Sequence, residues 1–318
     1  MKKGLKIGLI VAGSLMATGL ALGGLALTMF GFRSVPVSGD VTERSFPVDG
    51  DFQNIRVEGL VSNIQFLPSG DDSCSVIYIG DDRLEHTVEI ADDTLIIREA
   101  DPVKGINLTL SENKLQVLLT RQQYQDLYIR GTSGDIDVIR DFIFRDVDIA
   151  TSTGEIGYRA SAIGSVTADT DTGRIILGQS QPTSVDLSSD SGSMAIVGVV
   201  TEGTFRATSN TGEIFMNFSQ LGELQLEADS GDLRMDNVLA NAFRFNTNTG
   251  DVSLIRCDAD QMDITTDTGD ITGTVLTGKS FIPTTDTGSV SVPEGTSGGE
   301  CRLTTDTGDI DIQLAPEE

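Results

Sequence analysis

The chain has 318 residues, with 22 Lys/Arg against 48 Asp/Glu, a formal charge of −26, 35 Gly, one His, three Cys and no Trp. A surface this acidic repels nucleic acid and anionic lipid headgroups, and it attracts cations or basic partners. Cys74, Cys257 and Cys301 are odd in number and lack metal-site spacing, which excludes a dense disulfide scaffold and a Cys/His zinc centre. They read as free, small apolar residues.

The charge is uneven along the chain. Lys2, Lys3, Lys6 and Arg33 are the only charged residues before Ser34, and the remainder carries 18 Lys/Arg against all 48 Asp/Glu, a balance of −30. Residues 7–32 contain no charge, longer than a signal-peptide core and long enough to span a bilayer as a helix. The lysines before this run place residues 1–6 in the cytoplasm and everything after Arg33 outside. Gly19 and Gly23 could pack two such helices, although Gly is common throughout this segment. A cleavable signal peptide ending near Gly24-Leu25-Ala26 is the alternative. Residues 33–45, with Pro36 and Gly39, read as a spacer.

Residues 46–130 hold short alternating or apolar runs such as Ile55-Arg56-Val57, Val76-Ile77-Tyr78-Ile79 and Leu115-Gln116-Val117-Leu118-Leu119. Turn clusters such as Ser69-Gly70-Asp71-Asp72 separate them. These imply irregular early coils and a cap over an open sheet edge. His86, in Arg83-Leu84-Glu85-His86, reads as a solvated side chain.

A strict repeat occupies residues 131–314. Ser/Thr-Gly recurs at Gly134, Gly154, Gly173, Gly192, Gly212, Gly231, Gly250, Gly269, Gly288 and Gly308, every 19 or 20 residues. The residue two after each Gly is apolar, from Ile136 to Ile310. So is the residue seven before, from Val147 to Cys301, and the residue five before, from Ile149 to Leu303. The position between the last two columns is mostly polar. Apolar residues two apart define strands with one buried face, not helices. The fold expected is all-β: stacked parallel coils about 4.8 Å apart, a solenoid roughly 45 Å long. The Ser/Thr before each Gly is expected to face inward and form hydroxyl ladders, and the Gly to make the corner. Cys301 falls in a core column, and Cys257 shares one with Val200, Val238 and Leu276.

The residues flanking the corner form an acidic ridge, in which Asp229, Asp232, Asp251, Asp267, Asp270 and Asp286 are the candidates for calcium. Stacked carboxylates repel by about 1 kcal/mol per pair even in water, which a hard cation would relieve. The plainer account is that Asp and Asn beside Gly bond their own turn backbone, with no metal or other cofactor. No nine-residue calcium β-roll pattern is present.

Phe52-Gln53-Asn54-Ile55-Arg56-Val57, the strand of Leu115 to Leu119, and Leu127-Tyr128-Ile129 running into Thr132-Ser133-Gly134-Asp135-Ile136 carry a further signal. With the coils that follow, they make the chain resemble the bacterial DUF4097 family, whose members are labelled adhesin-like and are related to head-domain GIN-type proteins. The Pro that the family often carries near Thr120 is absent here. The resemblance spans roughly residues 46–314. It implies a single-stranded, right-handed β-helix at the bacterial cell membrane or envelope, and no established activity.

Catalysis is not expected. His86 is the only histidine, no G-x-S-x-G elbow is present, and the carboxylates are spread evenly rather than clustered. The expected function is a membrane-anchored, extracytoplasmic surface for a protein or glycan partner, without nucleic acid. An accessory or sensor component of an envelope-stress system is the alternative, and a polysaccharide-active β-helix enzyme the third.

Overall fold

The computed structural model describes residues 40–100, 113–294 and 297–316. The helix expected over residues 7–32 lies outside them. Within them no helix is long and apolar enough to cross a membrane. The chain is all-β. A strand, Val41–Val48, begins inside the expected spacer, because Arg44, Phe46 and Val48 alternate inward from it.

Equivalent residues of successive coils pair in parallel register, for example Val147 with Val166 and Val166 with Val185. The three apolar columns are buried in every coil except the one carrying Gly288, where Val290 is 46% exposed.

The stacking order departs from chain order at both ends. Strand Asn54–Leu60 pairs with Thr94–Ala100 on one side and with Asp126–Gly131 on the other. The first coil is therefore inserted between the second and third. Likewise, strand Glu300–Thr307 lies between Val252–Thr268 and Ser280–Thr287, so the last coil is inserted behind its predecessor. At the crossing, the buried Lys279 ammonium donates to Ala259 O at 2.7 Å and Thr277 Oγ1 at 2.9 Å, and pairs with Asp258. Such a buried ion pair holds only while each partner is satisfied.

The outer edges are handled differently. At the N-terminal end, Cys74–Asp81 runs antiparallel to Lys114–Leu119, and Glu85–Ala91 antiparallel to Thr94–Ala100. At the C-terminal end, the outermost strand carries Pro283. Ser280 N donates to Gly299 O at 2.9 Å, so alternation turns the amide position of residue 283 to the free edge. A proline there removes a donor that another chain could pair with.

The hydroxyl ladder is shifted from its expected place. The Ser/Thr immediately before each Gly is exposed wherever the regular coils are considered, as at Thr172, Thr249 and Thr307. The buried hydroxyl sits three before the Gly instead, because the residue two before it is skipped in the pairing and reverses the parity. Thr266 and Thr305 each donate at 3.0 Å to the corner-glycine carbonyl of the adjacent coil, Gly250 O and Gly269 O. Thr266→Val keeps the shape and strands that carbonyl. A loss of about 1–2 kcal/mol is expected in denaturant unfolding, against near zero for Thr265→Val on the outward face.

A core column also moves in two coils, by the extra residue between Gly192 and Gly212 and by a register shift between Leu254 and Cys257. Val199 and Val275 are buried beside Cys257 and Val238, whereas Val200 and Leu276 are exposed.

Candidate binding groove

Outward-facing residues of the strands leading to the corner line up across coils. Arg56 opposes Tyr128, Tyr128 opposes Asp148, and Asp148 opposes Thr167. Together with Asn54, Thr94, Asp126, Asp146 and Ser165 they line a groove of about 520 Å³ across five neighbouring strands. Tyr128 is its aromatic centre. The guanidinium of Arg130, two residues along the same strand, lies 4.2 Å from the ring centroid, and that of Arg56 lies 4.6 Å away. Cation–π contacts of this kind hold the ring in place, and Tyr128 stays partly exposed.

The charges around it are paired. Arg130 binds Asp148 at 2.6 Å and Arg56 binds Glu58 at 2.6 Å. Arg145 bridges Asp126 at 2.5 Å and Asp146 at 2.7 Å. Asp146 also accepts the Ser165 amide at 2.8 Å. That amide, with Arg145, holds its carboxyl below the usual carboxylate range, so it stays ionised and is unsuited to donate a proton. The groove thus offers hydrogen-bonding groups and one aromatic ring, without a histidine.

The six ridge aspartates do not converge. Asp232 Oδ1 accepts the Asp251 amide at 2.9 Å, and Asp251 Oδ1 accepts the Asp270 amide at 2.9 Å. Asp270 Oδ1 in turn accepts the amide of Asp309 at 2.7 Å. Asp229 accepts from Asn248 at 3.3 Å. Asp267 and Asp286 are separated by the inserted last coil, which brings Asp306 between them. Among the described residues no group of three His, Cys, Asp or Glu side chains is placed to hold a metal. With one carboxylate oxygen of each step bound to the next coil's backbone, calcium at millimolar concentration is expected to leave the melting temperature unchanged. A rise on titration would restore the metal reading.

His86 is not solvated as expected: its side chain is fully buried under the N-terminal cap. It alternates with Glu85 and Thr87 and shares its face with Val88 and Ile90, a parity visible in the sequence. The Tyr78 ring lies 4.0 Å away centroid to centroid. Its Nε2 lies 3.5 Å from Glu99 Oε1, whose carboxylate also accepts the Ser62 hydroxyl at 2.5 Å and the Val61 and Ser62 amides at 3.0 and 3.1 Å. Burial raises the Glu99 carboxyl, but the imidazole, the Ser62 hydroxyl and the Val61 amide outweigh it and hold it below its ordinary 4.5. A depressed carboxyl stabilises the fold above the unfolded value and loses that stabilisation as pH falls through the folded one. Melting temperature is therefore expected to drop below about pH 4.5. Glu99→Gln should flatten that drop and cost about 1–3 kcal/mol at pH 7.

All three cysteines are free. Burial pushes the Cys257 thiol up to about 11 and that of Cys301 to about 12, which makes both unreactive.

A family model described as Toastrack DUF4097 matches residues 52–232 and 205–318. No curated protein matches the chain. Among solved structures, a candidate adhesin of Bacteroides fragilis is 14% identical, over 87% of this chain and 98% of its own, with a TM-score of 0.42. A candidate adhesin of Parabacteroides merdae is 12% identical, over 86% and 97%, with a TM-score of 0.45. A candidate lipid-binding protein of Parabacteroides distasonis is 14% identical, over 86% and 98%, with a TM-score of 0.44.

Proposed function

The chain belongs to the Toastrack DUF4097 family, and from that premise we propose that it is a non-catalytic solenoid that presents a surface to a protein or glycan partner outside the cell membrane. In this reading residues 7–32 anchor it as a single helix with residues 1–6 in the cytoplasm, and the coils wind right-handed in the bacterial envelope. No cofactor takes part.

The groove around Tyr128 carries the reading. It spans five strands, displays hydroxyl, amide and carboxylate groups at the regular coil spacing, and centres on one fixed aromatic ring. Solenoids commonly recognise extended partners along such a face. The polysaccharide-active reading finds no support in the groove, because its carboxylates are tied to arginines and the one histidine lies buried elsewhere.

The test is a photo-crosslinking side chain at Tyr128 in native membranes, with the same group at the exposed Glu213, at the marker-glycine corner two coils beyond the groove, as control. Adducts with an envelope glycan or an extracellular protein, specific to position 128, are the expected result. A single stoichiometric membrane protein would favour the accessory reading instead. Equal labelling from both positions would remove the groove from the function.

A further inference from the structure

The turn that leaves strand Ile136–Val138 is two residues longer than the equivalent turn of the next coil. Val138 pairs with Tyr158 and Ile143 with Ser161, so residues 139–142 stand opposite residues 159 and 160 alone. Phe142 is buried and anchors the longer turn, and Arg140 stands exposed on it. Among the described residues Arg140 makes no ion pair and no hydrogen bond. Arg159 of the next coil lines the same recess, which encloses about 410 Å³.

Arg159 is held in place. Its Nη1 donates to Asp137 Oδ1 at 2.5 Å, while Nε and Nη2 donate to nothing in the chain. Two glycines make room for it. A Cβ at Gly157 would lie 3.1 Å from Arg159 Nη1, and one at Gly178 would lie 3.2 Å from Arg159 Cα. Neither glycine holds a φ that a side chain would resist, so backbone conformation does not account for them. Their missing side chains leave the space that this arginine and the recess beside it occupy.

No carboxylate lines this recess, whereas those around Tyr124, Phe243 and Tyr128 each include carboxylates. Asp137 is bonded to Arg159, and Asp141, next to Arg140 in the chain, is exposed and outside the lining. Exposed carboxylates farther away are largely screened beyond roughly 8 Å at physiological salt. Two guanidiniums with open donors match the oxygens of a carboxylate or a sulfate. Ser161 and Gln179 add a hydroxyl and an amide suited to sugar hydroxyls, and Ile176 and Val197 add an apolar wall for the C–H face of a ring. We propose that this recess binds an acidic sugar, whose carboxylate or sulfate is taken by Arg140 and Arg159. It goes beyond the groove around Tyr128, with which it shares no residue, so either site can fail without the other.

The full chain in uncharged detergent is titrated with galacturonate, galactose 6-sulfate and galactose, which differ only at carbon 6, and binding is followed by saturation-transfer NMR. At least one acidic sugar should bind about tenfold or more tighter than galactose, and the tighter of the two names the anion. Arg140→Ala should weaken that binding about tenfold, the weight of one charge-assisted hydrogen bond, with the melting temperature unchanged. Arg159→Lys keeps the charge without the planar fork and should weaken it as well. Arg174→Ala removes the same charge from an exposed position beside Gly173 and should leave the affinity as it was. Galactose binding as tightly as both acids overturns the proposal, as does a parent chain that binds none of the three. Equal losses from Arg140→Ala and Arg174→Ala also overturn it, because net charge and not the recess then holds the anion. A glutamate-containing tripeptide that binds tighter than both acidic sugars overturns the assignment to a glycan.

Discussion

Deleting residues 297–318 is expected to destabilise the C-terminal half of the solenoid far more than loss of a terminal repeat would. In a solenoid stacked in chain order, the last coil makes one interface and its removal costs one nearest-neighbour contribution. Here the last coil is bonded on both faces. Its loss removes the buried Cys301, Leu303, Ile310 and Ile312, each worth about 2 kcal/mol of burial. It also takes away the pairing partner of strands Ser280–Thr287 and Val290–Ser291. The melting temperature should fall by on the order of 10–20 °C, and residues 280–294 should become the first site of limited proteolysis. A truncated chain that melts within a few degrees of the full one, with residues 280–294 still protected, would restore simple sequential stacking.

That insertion was not readable from the repeat, and the reason is physical. Every coil offers the same columns of apolar side chains and the same glycine corner, so any coil fits against any other. Periodicity identifies the inside of a coil without identifying its neighbour. One local sign was available. Ile282 breaks the polar column and Pro283 removes an amide, and both fall in the coil that ends the stack, where a partner is missing on one side. The shifted hydroxyl ladder has a similar cause. Strict alternation carried forward from Ile264 predicts the wrong face for Thr268, because one skipped residue before the corner reverses the parity.

The groove was harder to foresee than the core. Tyr128 stands in an outward column that is polar in every other coil of the repeat except the one carrying Ile282, and that was a sign in the sequence. Its partner Arg56, however, comes from a coil 72 residues earlier, brought alongside only because the first coil is inserted. His86 shows the opposite case. Its charged neighbours suggested solvent, but its parity with Val88 and Ile90 already pointed inward. Alternation was the stronger signal, because burial in a strand follows the face of the pleat and not local composition.

Gly250→Ala is expected to be strongly destabilising although it adds a single methyl. Gly250 holds φ at 155°, and a Cβ there would lie 2.2 Å from Gly231 O and 2.7 Å from its carbonyl carbon. Backbone, not a flexible side-chain end, occupies that space, so the coil spacing itself must open. The carbonyl cannot simply swing away, because Gly231 O already accepts the Thr247 hydroxyl at 3.3 Å. The amide of Gly250 is fixed as well, donating to Thr268 O at 3.0 Å. Conformational strain and overlap together should cost about 3 kcal/mol or more, a fall of roughly 6–12 °C in melting temperature. Gly70→Ala is the matched control, with nothing within 4 Å of its added methyl, and should stay within about 0.5 kcal/mol of the parent. Because each corner glycine packs on the carbonyl of the one before it, damage at Gly250 should spread to both neighbouring coils. Hydrogen exchange should then show lost protection at Leu233 and Ile271 together. Equal stability of the two variants would mean that the corner tolerates a side chain, and that the recurrence of Gly needs another cause.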